Sequence, residues 1–310
     1  MQMLTRGIRK GKAALAALLL MLVPVCNAMA TGQGAGLSLE PELYWDSGDY
    51  GGDTTIHTYS FSLIGEFAFA DRWTLSLTLV PYIHQDESYT DVVLVAGQPV
   101  HHQDIIGTNP HKPAETMPGN SVMRGHHRNP IDPAVEIADS TVQEVERHGS
   151  ASGIGDTTFS LSYRFVDESD SLPEMSVHGD VKLPTADEDK GLGTGETDYC
   201  LGIELIKEIG AWTVDVGMDY NILGDPDGYD LDNYVAAYGD LSTGLGPGLT
   251  TIFKLYGAQA PSEESDAELT VGLECDYAIE HLGSVYAGVD AGLSDGSPDF
   301  SLSVGYSMSF

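Results

Sequence analysis

The residues best equipped for chemistry are carboxylates that recur at even spacings inside apolar segments. They are Glu40, Glu42, Glu66, Asp156, Asp180, Asp198, Glu204, Asp215, Asp219, Glu268, Glu274, Asp276 and Asp290. Against them stand Arg164, Lys182 and Lys254, with His178 as a titratable neighbour. If these side chains share one confined wall, that wall attracts cations and repels anions, because rings of charge set selectivity in a narrow pore. The same groups could instead plug the interior, bonded to Tyr, Ser and Thr hydroxyls and to water. Both readings stay open at this level.

A second set could bind metals. Residues 85–152 hold His101, His102, His111, His126, His127 and His148, six of the ten histidines. Imidazoles suit zinc, copper or nickel, and the weak candidates are His101, His102, His126 and His127. The adjacent pairs lack helical spacing and cysteine partners, so a solvated surface loop accounts for them equally. Asp225, Asp227 and Asp230, around Gly228, resemble part of a calcium loop but lack a closing bidentate Glu. No cofactor is implied. Hydrolase readings rest on spacing alone: His148-Gly149-Ser150 has the His-x-Ser interval of barrel phospholipases, and His84 with Asp86 the residue types of barrel proteases. The Gly191–Gly195 run is no phosphate loop, since no Gly-Lys-Ser/Thr follows. The expectation is a protein that is not an enzyme.

Strands must position these residues. Phe300, Leu302, Val304, Tyr306, Met308 and Phe310 alternate with Ser and Gly, and Trp212, Val214, Val216, Met218 and Tyr220 with Thr, Asp and Gly. This period of two marks strands with two different faces. About twelve strands are expected, near 36–45, 55–69, 73–84, 156–166, 173–183, 197–207, 211–222, 233–243, 249–258, 267–278, 283–293 and 299–310. Near 233–243, Tyr234, Ala236 and Tyr238 compete with Val235, Ala237 and Leu241 for one face. Connections alternate between short and long, the longest being an irregular, Pro-containing insert at about 85–152. An even count of strands of roughly ten residues, with short turns at one end, describes a transmembrane antiparallel β-barrel. Aromatic residues at strand ends, such as Trp45, Trp73, Trp212 and Tyr277, suit the two membrane interfaces. A soluble sandwich would explain neither these girdles nor so many acids without lysine partners. The fold class is therefore all-β, a closed barrel that leaves no backbone edge in lipid.

Composition agrees. Lys and Arg number 14 against 47 Asp and Glu, a formal charge of −33, which excludes general affinity for nucleic acid. Arg6, Arg9, Lys10 and Lys12 precede an apolar run and Ala28-Met29-Ala30, so residues 1–30 read as a signal peptide and 31–310 as the barrel. Its removal takes four basic residues and no acidic one. Cys200 and Cys275 fall on opposite faces and should not pair. The expected address is the outer membrane of a Gram-negative bacterium, with bilayer and lipopolysaccharide as surroundings. The alternating last strand ending in Phe310 has the look of the signal read by the outer-membrane assembly machinery.

The segment from Gly153 to Phe165 (GIGDTTFSLSYRF), Lys182-Leu183-Pro184-Thr185, residues 191–199 (GLGTGETDY) and Lys207 to Trp212 resemble one barrel family. Its members are associated with the meta-pathway of phenol degradation and are often called transporters. The resemblance covers roughly residues 150–310. It implies an outer-membrane channel or transporter for small molecules, including aromatic or apolar compounds. The insert at 85–152 departs from the family pattern. Rival readings are a surface protein binding metal or calcium through its loops, and a barrel hydrolase.

Overall fold

The computed structural model describes residues 36–50, 55–86, 92–93, 125–126, 150–224, 226, 231–262, 265–280 and 282–310. The signal-peptide reading, most of the histidine-rich insert with its metal candidates, the His148-Gly149-Ser150 motif as a unit, and Asp225, Asp227 and Asp230 lie outside the described residues or their described side chains.

Twelve long antiparallel strands close into a ring. In chain order they are β1 (Gly36–Gly48), β2 (Ile56–Phe69), β3 (Trp73–Asp86), β4 (Thr157–Val166), β5 (Glu174–Leu183) and β6 (Asp198–Ile209), followed by β7 (Trp212–Ile222), β8 (Tyr234–Gly246), β9 (Leu249–Ala258), β10 (Glu268–Ile279), β11 (Gly283–Gly292) and β12 (Phe300–Ser309). Each strand pairs with its neighbour in sequence, and β1 pairs with β12, for example Glu42 with Gly305, to complete the circle. Closure leaves the ladder without an edge, the condition for backbone in hydrocarbon.

Alternation decides which face turns in. Along β1 the buried positions are Ser38, Glu40, Glu42, Tyr44 and Asp46, whereas Leu43 is 61% exposed. The same inversion holds on β6, where Cys200 and Glu204 are buried and Leu201 is 60% exposed. Met218, Phe253, Leu255, Leu273 and Val304 continue the exposed apolar surface. In water such a continuous band would be a severe liability; it is the outer wall that a bilayer solvates. On β8 the competition resolves in favour of Tyr234, Ala236 and Asp240, which are buried, while Leu241 turns outward.

Aromatic rings gather toward the two ends. Trp45 packs near His57, Tyr59 and Phe300 at the long-loop end. At the other end, Trp73 lies 4.5 Å from Tyr163 and stacks on Phe69. This short-turn rim is stitched by charge. Arg164 meets Glu174 at 3.1 Å and donates to the Asp71 carbonyl at 2.7 Å, and Lys207 meets Glu168 at 3.1 Å.

Four local features among the described residues depart from a regular period of two. Irregular register occurs between Phe61 and Leu63, between Arg164 and Val166, and between Gly244 and Gly246. Ala151–Gly153, inside the stretch expected to be loop, forms a short strand against Ile83–Gln85. His84 fixes it, with Nδ1 2.6 Å from Ser152 Oγ and Nε2 2.8 Å from Asp86 Oδ1. The contact joins His84 and Asp86, adjacent in the hydrolase reading, and in this setting it anchors the returning chain.

Candidate functional site: the charged barrel interior

A twelve-stranded barrel is narrower than an open porin, and its inward side chains meet over the strands that separate them. Glu274, Thr58, Ser62 and Tyr286 have 0% exposure, and Glu42, Glu204 and Asp215 have 1%. Charged groups this deep need partners, and the chain supplies them in three ways.

The first is a lysine clamp near the long-loop end. Lys182, at the end of β5, sits between Asp156, at 3.4 Å, and Asp198 in still closer contact. Thr194 lies 3.4 Å from the same ammonium. Asp156 accepts a hydrogen bond from the Ala186 amide at 2.8 Å, and Asp198 one from the Gly224 amide at 2.8 Å. Thr185 donates to the Gly155 carbonyl at 2.8 Å. The chain from Pro184 to Thr197 thus folds over the clamp, and Leu192 packs with Val80 and Ile83 inside the mouth. Glycine at 155 is dictated by this packing, since a Cβ there would stand 2.8 Å from Val80.

The second device joins side chains two strands apart across an inward-facing glycine. Glu42 and Tyr286 flank Gly305 in register, and the Tyr286 hydroxyl lies 2.8 Å from Glu42 Oε2 and 2.8 Å from Glu40 Oε1. Lys254 and Asp290 flank Gly272, and their charges meet at 3.6 Å, with Glu274 at 3.9 Å. Glu204 and Tyr238 flank Gly217 and approach to 3.4 Å. In each case a Cβ on the glycine would overlap the ring or carboxylate above it. The missing side chain is what lets the two partners touch.

The third is a histidine between acids. His178 on β5 and Asp219 on β7 flank Gly202 on β6. Nε2 of His178 is 3.2 Å from Asp219 Oδ1 and 3.6 Å from Asp180 Oδ2.

Of the sequence-derived interior set, Glu66, Asp156, Asp180, Lys182, Asp198, Glu204, Asp215, Asp219 and Glu274 are buried, and Lys254 and Asp290 are partly buried. Arg164 sits apart from the others, at the short-turn rim. Tyr234, Tyr238 and Tyr286 add interior hydroxyls that a search for charged residues misses, although each occupies an inward position in the alternation. Among the described residues, Cys200 is buried and Cys275 exposed, and both are free thiols.

The residues that compose the lysine clamp are Asp156 of GIGD, Lys182 and Thr185 of KLPT, and Leu192, Thr194 and Asp198 of the GLGTGETDY run. Residues 124–310 match the family described as "Putative MetA-pathway of phenol degradation". The chain belongs to that family. No curated protein matches it. Among solved structures, an outer membrane channel from Pseudomonas putida F1 is similar, with TM-score 0.55 and 14% identity over 89% of this chain and 96% of that one. The NanC porin follows at TM-score 0.48 and 11% identity, over 87% of this chain and 98% of that one. The P. putida toluene transporter TodX gives TM-score 0.39 and 10% identity, over 90% of each chain. At these identities the first likeness establishes the fold, a barrel of the outer-membrane kind.

Proposed function

We propose that this family member is an outer-membrane channel for small solutes, with a constricted interior that prefers cations. The observation that carries the reading is the inversion of the barrel. The apolar side chains face outward and the acids face inward, where acids outnumber bases. Carboxylates fixed in a confined, poorly hydrated passage favour positive charge and disfavour negative charge. The burial of Glu274 and Tyr286 argues for a passage filled by side chains at that height, so solutes pass only as those side chains swing aside. Family membership and the P. putida channel's fold support transport as the class of activity. The family's description makes small aromatic compounds the class to try first, and the tyrosine hydroxyls and carboxylates suit polar or cationic members of it.

The interior acids Glu66, Asp156, Asp180, Asp198, Glu204, Asp215, Asp219, Glu274 and Asp290, with Arg164, Lys182 and Lys254, are the proposed lining. Residues 31–310 form the exported barrel in this reading. Bilayer lipid surrounds the belt, lipopolysaccharide meets the long-loop rim, and the alternating β12 segment serves assembly.

Planar-bilayer recording of refolded protein tests the proposal. Under a salt gradient the reversal potential should report cation preference, and Glu204→Gln with Glu274→Gln should reduce it. Anion preference overturns the charge argument. A barrel that stays electrically silent, even after removal of residues 88–149, overturns the channel.

A further inference from the structure

Beyond transport, one of the charged groupings of the interior, the histidine between acids, also brings a thiol among its donors. A ring nitrogen of His178, Sγ of Cys200 and a carboxylate oxygen of Asp219 all lie within 4.8 Å of one another, and all three residues are buried. Asp180 joins them. It is the register partner of Cys200, its side chain is 1% exposed, and its Oδ2 is 3.6 Å from His178 Nε2. Neither Asp180 oxygen nor Asp219 Oδ1 forms a hydrogen bond of ordinary geometry, and the two carboxylates share the single His178 ring as their ion-pair partner. One imidazole shared by two buried carboxylates leaves acceptor capacity that a bound cation would fill.

We propose that His178, Cys200, Asp219 and Asp180 form a binding site for one divalent transition-metal ion of the zinc class inside the barrel. One imidazole, one thiolate and two carboxylates make a four-donor set of mixed softness, which zinc accepts and which magnesium or calcium, both seeking oxygen alone, would not. Neighbouring ligand atoms around tetrahedral zinc stand about 3.3–3.7 Å apart, given bond lengths of about 2.0–2.3 Å. The His178 contacts of 3.2 and 3.6 Å to the two carboxylates match that spacing. The donors come from three adjacent strands, so the closed ladder holds them rigidly. Gly202 makes the convergence possible, since a Cβ there would overlap both the His178 ring and the Asp219 carboxylate.

Binding replaces the Cys200 S–H bond by a sulfur–metal bond, and the thiol proton leaves to solvent. With a neutral imidazole, the dication meets one thiolate and two carboxylates, which offsets most of the local excess of negative charge. The site does not depend on whether the barrel conducts. An ion pair of protonated His178 with its two acids is the competing account of the same distances, and it predicts no metal affinity.

Cobalt distinguishes them, because a thiolate-to-cobalt charge-transfer band appears only when sulfur is a ligand. The full chain, refolded in detergent with Cys26→Ser and Cys275→Ser so that one thiol remains, should show this band with one equivalent of cobalt. Zinc should then remove the band by displacement. Cys200→Ser should abolish it, and His178→Gln or Asp219→Asn should weaken binding by more than tenfold. Gly202→Ala keeps every donor but closes the space between them, and it too should lose the band. The loop histidines offer nitrogen alone and cannot produce it. Absence of the band in the folded parent, or its survival in Cys200→Ser, overturns the site. Because the parent spectrum alone can refute it, the outcome stands even if a variant fails to fold.

Discussion

Around Lys182, two carboxylates face one ammonium, and two backbone amides serve the same acids. Around Tyr286, two carboxylates face one phenol that carries a single proton to donate. Both centres are buried in the same barrel, and both hold an acid pair together. At the first, opposite charge offsets the desolvation of the acids. At the second, the hydroxyl proton serves one carboxylate at a time, and the other depends on further neighbours. The lysine centre should therefore act as a structural clamp, and the tyrosine centre should be the more adjustable part of the wall.

The sharpest way to break this contrast is Lys182→Met. It leaves Asp156 and Asp198 buried and facing each other, and removing one partner of a buried ion set costs about 3–5 kcal/mol. Urea unfolding of refolded barrel should show a loss of that size, partly restored when Asp156→Asn is added. A loss no larger than that of Tyr286→Phe would erase the distinction. Tyr286→Phe keeps the ring over Gly305 and deletes only the donor. A hydrogen bond to a charged group is worth about 1.5–3 kcal/mol, so the expected cost falls in that range. Cation preference should fall in the same variant, because buried carboxylates that lose a hydrogen-bond donor are less able to remain ionised. An unchanged reversal potential would show that these acids do not face the solute.

A related test acts on the space rather than on the donor. Gly305→Ala puts a methyl where the Tyr286 ring lies. Overpacking of this kind costs about 1–3 kcal/mol, and the displaced hydroxyl should lose Glu42 first, since that residue is the register partner of Gly305. If the variant matches the parent in stability and selectivity, the ring moves freely and the glycine cradle has no role.

The barrel itself was legible because its two environments alternate with the pleat. Leu43 between Glu42 and Tyr44, or Leu201 between Cys200 and Gly202, states in sequence which side chain meets lipid and which is enclosed. Strand limits were legible for the same reason, as with Leu249–Ala258. What local pattern cannot carry is register. That His178, Cys200 and Asp219 converge follows from the pairing of three strands, and each residue alone reads as one more polar position on an inward face. The irregularity at Phe61 and Leu63 and the short strand Ala151–Gly153 were likewise hidden, since both depend on how β3 is met by its partners. The glycines at 202, 217, 272 and 305 were visible as breaks in composition. Their meaning required knowing which neighbours lean over them.

The smallest effect sharpens the contrast by moving it to the rim. Arg72 and Asp167 bring together an arginine and a carboxylate, as the interior brings together Lys182 and Asp198, but their side chains are 38% and 56% exposed. Water already solvates both partners, so desolvation neither opposes the pair nor makes losing one partner expensive. Exposed pairs of this kind contribute about 0–1 kcal/mol, and Arg72→Gln, which leaves the contact of Asp167 with Arg164 in place, should change stability by about that much. Its effect should also fade as salt is raised toward molar levels, where screening shortens to about 3 Å. The Lys182→Met penalty should persist under the same salt, because ions do not enter the space between buried partners. Equal salt sensitivity at the two positions would mean that water reaches the lysine clamp, and the mouth of the barrel would then be open around it.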